Sequence, residues 1–329
     1  GKPKMEELLL IDFVQPNGLH SLLAVVLKSK CKVEHPLFSE DSNIKVIPLS
    51  VHRLDAEHLL VRGGNGKTYS DKKVLVIGAG AVGGSVCEQL IKGAVINIDV
   101  VDYDVLTPDN CYRHVCGFKY VFQKKTNAIK DKLERYYPHA VINALNGSIE
   151  DIIDKKKICC RDYQVVIIAT GNATVNQFLM KYFRDLIPEV PVLFSWLDPL
   201  GIGGHCLVTN LSNKGCYQCL YSNNELHNSA SFAKSIQPKS FVKSVSGCGS
   251  VFVPYAASDA DRLAILTVQK VQEFFRGLIT ENSIYSWKGD SESFQEEGYQ
   301  LADRYFQSEQ ELVDKRKMFV NTNCLLCAE

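Results

Sequence analysis

The sequence predicts an α/β protein built on a doubly wound, Rossmann-like and mostly parallel sheet. From Lys73 onward, strand-like apolar runs alternate with helical patterns, which is typical of a parallel sheet covered by helices on both faces. Two of the runs, KVLVIG at 73–78 and YQVVIIAT at 163–170, are almost continuously apolar, as expected of strands buried on both faces. A glycine-rich turn joins the first of these strands to the first helix, the place where doubly wound folds bind a ligand.

The elements follow one another without long gaps as far as residue 210. Each strand is a short apolar run, each helix shows an apolar stripe, and Pro138 ends the second helix. We predict strands at 73–78, 96–102, 140–146, 163–170, 190–196 and 203–210, and helices at 82–92, 124–137, 148–156, 173–188 and 256–277.

Two regions do not follow this pattern. Residues 1–54 are difficult to interpret, with possible strands at 22–33 and 44–54, and we expect the α/β domain only from residue 55 to residue 329. Residues 222–250 are rich in Ser, Asn and Lys, so we expect a long mobile crossover loop that packs no core.

Composition excludes several classes of function. The 329 residues carry 37 basic and 37 acidic side chains, so no overall field favours nucleic acid or an anionic membrane. No apolar run approaches the roughly 18 residues that span a bilayer. The twelve cysteines lie in a chain without a signal-peptide pattern, and four form two C-x-x-C pairs, which favours a reducing, cytoplasmic location and a metal over disulfides.

The glycine turn is a nucleotide-binding pattern. Gly78, Gly80 and Gly83 spell G-x-G-x-x-G, and Asp102 closes the next strand at the distance where an acid holds ribose hydroxyls. This pair of signals suits NAD and ATP equally, so the turn alone leaves the nucleotide open.

The next segment, VVDYDVLTPDNCYRHVCG, resembles the family of ThiF, MoeB and the ubiquitin-activating enzymes. The family pattern D-x-D, N-x-x-R-Q/H and a helix-starting lysine is matched by Asp102 and Asp104, Asn110, Arg113 and Lys125. The resemblance covers about residues 55–329 and implies ATP-dependent adenylation of a C-terminal glycine. Arg113 and Lys125 would then neutralise the charge on phosphate and departing pyrophosphate. Lys124 is the rival of Lys125, which is preferred by alignment only.

One position departs from the family. An aspartate that helps hold Mg²⁺ usually follows the central strand in a T-D-N motif, but here the stretch is IATGNAT and Gly171 stands at that place. Asp104 or Asp198 is a possible replacement, although spacing requires neither. Loss of adenylation activity is the other possibility.

Two cysteine pairs indicate a zinc site. Cys216 with Cys219 and Cys324 with Cys327 form two C-x-x-C knuckles that can close one tetrahedral Cys₄ site. The resemblance implies a structural Zn²⁺ at these positions. Four protein ligands leave no open coordination position, so this metal would hold the C-terminal tail and take no part in catalysis.

The candidate nucleophile is Cys248, in SVSGCGSVFVPY. Some family members transfer the activated acyl group to a cysteine in the crossover region, and the flanking glycines allow close approach of a glycine tail. MoeB-like members need no thioester, so the alternative is a packing residue. We interpret Cys87, Cys111, Cys116 and Cys206 as structural.

Within the family, the stretches HRLDAEHLLVRGG and SWLDPLGIGGH are similar to the activating domain of bacterial conjugating–activating fusion proteins of antiphage or ubiquitin-like operons. This resemblance implies a protein substrate with a Gly-type tail, either a ubiquitin-like protein or a nucleotidyltransferase. It also implies a ubiquitin-conjugating domain or protein as partner, a homodimer, and residues 1–54 as the remnant of a preceding domain or linker. The alternatives are adenylation of a sulfur-carrier protein and a catalytically impaired scaffold.

Overall fold

The fold was analysed in a computed structural model of the chain. It describes residues 5–18, 20–29, 44–210, 212–221, 230–244 and 251–327. The chain divides into two compact units, residues 1–59 and residues 60–329. Residues 222–229 and 245–250 of the predicted crossover loop, with Cys248 among them, lie outside the described residues. The predicted boundary between residues 54 and 55 stays a prediction.

The first unit contains a three-stranded antiparallel sheet. Its strands are β1 (Met5–Val14), β2 (His20–Ser29) and β3 (Lys45–Leu49), in the order β1-β2-β3. The pairing of β1 with β2 extends from Met5 opposite Ser29 to Val14 opposite His20. Strand β3 falls within the predicted segment 44–54, and β2 overlaps the predicted segment 22–33 but begins two residues earlier, whereas β1 was not predicted.

The second unit is organised around a seven-stranded sheet in the order β12-β9-β8-β7-β4-β5-β6. The strands β4 to β8 pair in parallel, while β9 and β12 run antiparallel at one edge. This arrangement confirms the predicted doubly wound, mostly parallel sheet. The strands are β4 (Lys73–Ile77), β5 (Asn97–Asp102), β6 (Val141–Asn146), β7 (Val165–Ile168), β8 (Val192–Leu197), β9 (Gly203–Thr209) and β12 (Ser283–Lys288); β10 (Lys243–Ser244) and β11 (Val251–Phe252) form a separate antiparallel pair.

The helices of the described residues cover the sheet and its edges. None of those in the described ranges is long and apolar enough to cross a membrane. The longest, α6, packs on α2, and Ser85 of α2 donates to Asp261 of α6 at 2.7 Å. The helices are α1 (Ala56–Gly63), α2 (Ala81–Lys92), α3 (Lys125–Tyr136), α4 (Ile149–Asp154), α5 (Ala173–Leu186), α6 (Ala257–Phe275), α7 (Glu292–Glu296) and α8 (Glu309–Asp314).

The central strand β4 is buried on both faces because its side chains alternate between two apolar clusters. Val74 and Val76 belong to the cluster that includes residues of α2, α3 and α6, and Leu75 and Ile77 to the cluster that includes residues of α4 and α5. Strand β4 pairs with β5 on one side and with β7 on the other. The chain therefore changes direction across the sheet at β4, and this switch point opens a crevice at the carboxyl ends of β4 and β7.

Part of the polar segment after Cys219 differs from our prediction. Phe232 and Ala233 pack into a third apolar cluster, in which Phe232 is fully buried beside Ile202, Phe294 and Tyr299, and Ala230 packs into the second cluster. The expectation that residues 222–250 pack no core is thus wrong for this part. The reason is local: Phe232 and two alanines supply the apolar surface that the Ser- and Asn-rich average conceals.

Candidate functional site

The glycine turn after β4 requires its glycines for steric reasons. Gly78 has φ +97°, and a Cβ there would lie 2.6 Å from the carbonyl oxygen of Ala169. A Cβ on Gly83 would collide with the carbonyl oxygen of Gly78. A Cβ on Gly80 would meet nothing within 4 Å, because this residue faces open space where α2 begins. The unpaired N–H groups of the first turn of α2 and the open space at Gly80 make a place suited to phosphate.

The peptide groups at Ala79 are held from two sides. The N–H of Ala79 donates to Oδ2 of Asp102 at 2.6 Å, and its carbonyl oxygen accepts from Nε2 of His114 at 2.7 Å. Nδ1 of His114 accepts from the N–H of Cys116 at 3.1 Å, so the imidazole is the neutral Nε2–H tautomer. Burial lowers the pKa of His114, which favours the same neutral form. His114 thus supports the turn through its hydrogen bond to Ala79.

Asp102 keeps capacity for a ligand. Its Oδ1 accepts from the N–H of Asp104 at 2.7 Å and its Oδ2 from Ala79. A carboxylate has about four lone-pair sites, so about two remain for ribose hydroxyls. The ribose contact predicted for Asp102 stays a prediction.

Lys125 and Asp104 form an ion pair at the edge of the crevice. Nζ of Lys125 lies 2.6 Å from Oδ2 of Asp104, and the lysine side chain is only 10% exposed. The N–H of Lys125 also donates to the carbonyl oxygen of Asp104. The neighbouring Lys124 is exposed, and its Nζ donates to the carbonyl oxygen of Tyr103. The two lysines therefore differ in their surroundings: Lys125 is buried at the cavity beside Asp104, and Lys124 is exposed.

Two adjoining cavities surround the glycine turn. The smaller, about 300 Å³, lies over the ends of β4, β5 and β7, and the larger, about 550 Å³, lies beside it. They share Gly80, Ala169 and Thr170. The smaller cavity is lined by Gly78, Asp102, Asp104, Lys125, Glu150 and Asn172, among others. The larger is lined by Arg113, Trp196, Asp198, Tyr217, Lys234 and Tyr255, among others.

The predicted site residues are distributed over both cavities. Lys125 lies in the smaller and Arg113 in the larger, where its guanidinium carbon is 4.9 Å from the centre of the Tyr255 ring. Asn110 lines neither of these two cavities, and its Oδ1 instead accepts from the N–H and the hydroxyl of Thr107, both at 3.1 Å. Asn110 therefore stabilises the turn that precedes Arg113.

The candidate replacements for the missing aspartate differ in their surroundings. Gly171 has φ +65° and would accept a Cβ without contact. Asp104 lines the smaller cavity and is paired with Lys125. Asp198 lines the larger cavity and is buried, with hydrogen bonds from Ser231, the N–H of Phe232 and His205. The sequence did not single out Glu150, whose carboxylate lines the smaller cavity.

The four cysteines converge on one buried cluster. The sulfur atoms of Cys216 and Cys324 are 3.6 Å apart, those of Cys219 and Cys327 are 3.4 Å apart, and all four lie within 4.8 Å of one another. A tetrahedral Zn²⁺ with bonds of about 2.3 Å places its sulfurs about 3.8 Å apart, whereas a disulfide needs about 2.05 Å. The N–H of Gly215 also donates to the sulfur of Cys327. Donor set and spacing fit a closed structural zinc site.

Tyr217 connects this cluster to the crevice. Its ring lies 4.5 Å from that of Phe194 on β8, and its hydroxyl accepts from Asn176 of α5 at 3.1 Å. The same residue lines the larger cavity. The cysteine cluster thus fixes one wall of that cavity as well as the tail.

The other described cysteines fit a structural role. Cys87, Cys116 and Cys206 are buried, and burial raises the pKa of the first two thiols to about 12 and of the third to about 11. Such thiols stay protonated and are poor nucleophiles. Cys111 is half-buried, and its sulfur lies 3.7 Å from the carbonyl oxygen of Thr107. The role predicted for Cys248 stays a prediction, since this residue lies outside the described ranges.

Sequence reasoning missed Tyr255, which lines the larger cavity, and Arg304, which lies behind it near Asp198. Tyr255 precedes α6, and Arg304 lies far along the chain in a short turn. Neither belongs to a periodic pattern or a spaced motif, so only their spatial position beside residues 113 and 198 reveals them.

The chain is similar to several known proteins. The family model described as the ThiF family matches residues 58–269. The chain is 28% identical over 242 residues to the ATP-dependent ubiquitin transferase-like protein Cap2 of Pseudomonas aeruginosa (strain BWHPSA011 / Pa011), covering 72% of this chain and 42% of that protein. It is 26% identical over 156 residues to the molybdopterin-synthase adenylyltransferase of Escherichia coli (strain K12), covering 47% of this chain and 60% of the relative.

A solved structure shares the fold. Escherichia coli MccB, crystallised with SeMet MccA, is similar with a TM-score of 0.55 and 15% identity, covering 83% of this chain and 69% of that chain. Identity at this level shows the fold alone. The chain spans less than half the length of the Cap2 proteins it matches.

Proposed function

This chain belongs to the ThiF family, and from that premise we propose that it is an ATP-dependent adenylyltransferase. Its substrate is the C-terminal carboxylate of a partner protein, with glycine as the terminal residue. The nucleotide occupies the smaller cavity and the protein tail the larger one. Escherichia coli MccB, which shares the fold, has been crystallised with ATP.

One observation carries this proposal. The two cavities adjoin at Gly80, where α2 begins, and each holds a basic side chain: Lys125 in the smaller and Arg113 in the larger. Two anionic groups can therefore approach one another across the glycine turn with positive charge on both sides. A hydride-transfer enzyme needs no such pair of cations, and an adenylating enzyme does, because both of its reactants are anions.

The chemical step follows from that arrangement. A carboxylate oxygen of the tail attacks the α-phosphorus of ATP, a new O–P bond forms, and the bond to the bridging oxygen breaks. The electron pair leaves with pyrophosphate, and the acyl-adenylate remains. The N–H groups at the start of α2, together with Arg113 and Lys125, stabilise the negative charge that develops on the phosphate oxygens.

We propose that Mg²⁺ binds together with ATP. The smaller cavity offers carboxylate oxygens, the donors that Mg²⁺ takes, from Asp104 and Glu150. Asp198 is engaged in a buried network at the larger cavity, so we assign it no metal. The ion supplies neutralisation of phosphate charge when bound. Arg113 and Lys125 provide such neutralisation from the protein side.

The zinc assignment is part of the same proposal. Cys216, Cys219, Cys324 and Cys327 would hold Zn²⁺ and so tie the C-terminal tail to β8 through Tyr217. The ion stabilises the fold when bound.

A second step is proposed for Cys248. Its thiolate attacks the carbonyl carbon of the adenylate, a C–S bond forms, and AMP leaves with the electron pair of the broken C–O bond. Similarity to Cap2, named an ATP-dependent ubiquitin transferase-like protein, supports this ubiquitin-like pathway, and we extend the proposal to a role in antiphage defence. We extend the proposal to a cytoplasmic homodimer that works with a ubiquitin-conjugating domain or protein, and to residues 1–54 as the remnant of a preceding domain or linker.

A sulfur-carrier function is the second candidate. The similarity to a molybdopterin-synthase adenylyltransferase favours it, because that enzyme is named for adenylation only. A third reading, a scaffold without catalysis, rests on Gly171 in place of the expected aspartate.

The test mixes the chain with ATP, Mg²⁺ and a candidate substrate encoded beside its gene, a Gly-terminated small protein or a nucleotidyltransferase. Pyrophosphate release is measured together with non-reducing electrophoresis and mass spectrometry. Cys248→Ala is compared with Cys159→Ala, which alters an exposed thiol outside the proposed site. We expect pyrophosphate from all three chains and a thiol-labile adduct that only Cys248→Ala loses.

The other outcomes separate the alternatives. Pyrophosphate without any adduct supports the sulfur-carrier function and rejects the thioester. Absence of both products with a partner shown to bind rejects adenylation and leaves the scaffold.

A further inference from the structure

Four polar residues, two of them buried and two half-buried, form a continuous chain of hydrogen bonds behind the larger cavity. Nη2 of Arg304 donates to the hydroxyl of Ser286 at 2.8 Å, Ser286 lies 2.8 Å from Nδ1 of His205, and Nε2 of His205 lies 2.9 Å from Oδ2 of Asp198. His205 is fully buried, and the side chain of Asp198 is 6% exposed. These residues come from β9, β12 and two loops, so the chain joins parts of the sequence that are far apart.

The hydrogen bonds have a single consistent direction. The carboxylate of Asp198 can only accept, so Nε2 of His205 carries a proton and donates. The guanidinium of Arg304 can only donate, so the Ser286 oxygen accepts from it. The hydroxyl of Ser286 completes this direction when it donates its proton to Nδ1 of His205. Arg304 is thereby linked to Asp198 through Ser286 and His205.

This network holds a segment that we call the wall segment, residues 230–235. The hydroxyl of Ser231 donates to Oδ1 of Asp198 at 2.9 Å, and the N–H of Phe232 donates to Oδ2 at 2.7 Å. From the other end, Nε of Arg304 donates to the carbonyl oxygen of Ala230 at 2.9 Å, and its guanidinium lies 5.6 Å from the centre of the Phe232 ring. Removing the charge of Arg304 or of Asp198 leaves the other charged group with fewer interactions to offset its desolvation.

The wall segment borders one cavity only. Ser231 and residues 233–235 line the larger cavity, as do Asp198 and Trp196, and none of them lines the smaller one. The ring of Trp196 stacks on His205 at 5.2 Å. A change in the network should therefore alter the wall of the larger cavity. The ends of β4 and β5, which border the smaller cavity, keep their own contacts.

We propose that His205 and Arg304 are positioning residues that act through Asp198 to hold the wall of the larger cavity in its binding shape. The inference rests on the proposed function in assigning that cavity to the protein tail. It predicts that the network affects tail binding and leaves nucleotide binding unchanged.

The test uses Trp196 as a local probe. The chain has two tryptophans, so Trp287→Phe leaves Trp196 as the single tryptophan, whose emission is followed with excitation near the red edge of tryptophan absorption. In that background, acrylamide quenching is measured for Arg304→Met, Arg304→Lys and His205→Gln. The matched control is Tyr163→Phe, which removes a buried hydrogen bond of 2.6 Å to Asp99 and borders neither cavity. ATP affinity is measured by calorimetry for each chain.

We expect the quenching constant of Trp196 to rise about twofold or more in Arg304→Met, because the wall segment opens locally. Arg304→Lys should recover part of the difference, since lysine keeps the charge but loses the two-pronged contact. Tyr163→Phe should lower the melting temperature without changing the quenching. ATP affinity should stay within about twofold in all variants, as expected of sites without shared partners.

Unchanged quenching in Arg304→Met, with a stability loss like that of Tyr163→Phe, would reduce the network to a structural role and overturn the inference. A parallel loss of ATP affinity would also overturn it. If Arg304→Met does not fold, Arg304→Lys and His205→Gln decide by the same criteria. A parent chain that binds no ATP contradicts the proposed function instead, and the quenching data still test the wall.

Discussion

The imidazole of His114 donates from Nε2 to the carbonyl oxygen of Ala79 across 2.7 Å, and this contact fixes the glycine turn that begins α2. On the other side, the N–H of Ala79 is held by Asp102. The orientation of the turn is therefore set by two side chains that come from β5 and from the loop after it. The shape of the turn therefore depends on both His114 and Asp102.

His114 should make stability depend on pH. Burial lowers its pKa in the folded chain, whereas the unfolded residue takes up a proton near pH 6.5. Below that pH the unfolded chain binds the additional proton first, so the free energy of unfolding falls as the pH is lowered toward the folded pKa. Melting temperatures at about pH 7.5 and about pH 5.5 should differ less in His114→Gln than in the parent chain. His52→Gln, at an exposed position, is the control, and an equal pH effect in both variants would reject the assignment.

Lys125 and Lys124 provide a matched pair for the nucleotide site. Lys125→Met removes the cation of the smaller cavity and should lower substrate-dependent pyrophosphate release by about 10²–10³. Lys124→Met removes an exposed charge one residue earlier and should change it by no more than about twofold. The rates are compared at saturating ATP. Equal losses in both variants would mean that general surface charge, and not position, is responsible.

Tyr255 should position Arg113. Its ring centre lies 4.9 Å from the guanidinium carbon, a distance at which a cation–π contact contributes about 1 kcal/mol. Tyr255→Leu should therefore lower the rate of adenylation about fivefold, and Tyr255→Phe should retain most of it because the ring remains. The kcat for adenylation is measured for both. Similar losses in the two variants would point to the hydroxyl and contradict this account.

The cysteine cluster should contain zinc. Mass spectrometry of metals should find one Zn²⁺ per chain, and Cys327→Ser should lose it because one of four ligands is gone. The melting temperature should fall by about 10 °C or more, since binding of a structural metal contributes directly to folding. Cys159→Ser, an exposed thiol outside the cluster, should keep both metal and stability. A chain that is purified without metal and melts like Cys327→Ser would refute the site.

The local patterns of the sequence predicted most of the second unit. The strand at 73–78, the glycines at 78, 80 and 83 and the two C-x-x-C pairs are contiguous signals, and each determines its own geometry. The helix predicted at 82–92 is found at Ala81–Lys92, and that at 124–137 at Lys125–Tyr136. Short-range rules suffice for such elements.

Short-range rules do not predict which remote segments of the chain contact one another. Strand β12 lies at the sheet edge only because β9 offers it a partner, and nothing in SIYSWK requires that partner. The hydrogen bonds from Arg304 through His205 to Asp198 join three remote positions, so no spacing reveals them. The burial of Phe232 likewise depends on Ile202 and Phe294, which its own polar neighbours in the sequence do not indicate.

The most direct test of the central claim is a hydroxylamine trap. The chain is incubated with ATP, Mg²⁺, hydroxylamine and a protein substrate that binds it, and the C-terminal peptide of that substrate is analysed by mass spectrometry. An acyl-adenylate is attacked by hydroxylamine, so we predict a C-terminal hydroxamate that requires ATP. It should form with the parent chain and with Cys248→Ala, because adenylation precedes the thiol, and should be strongly reduced with Lys125→Met. An unmodified carboxylate after incubation with the parent chain and a bound substrate would contradict adenylation as the activity of this protein.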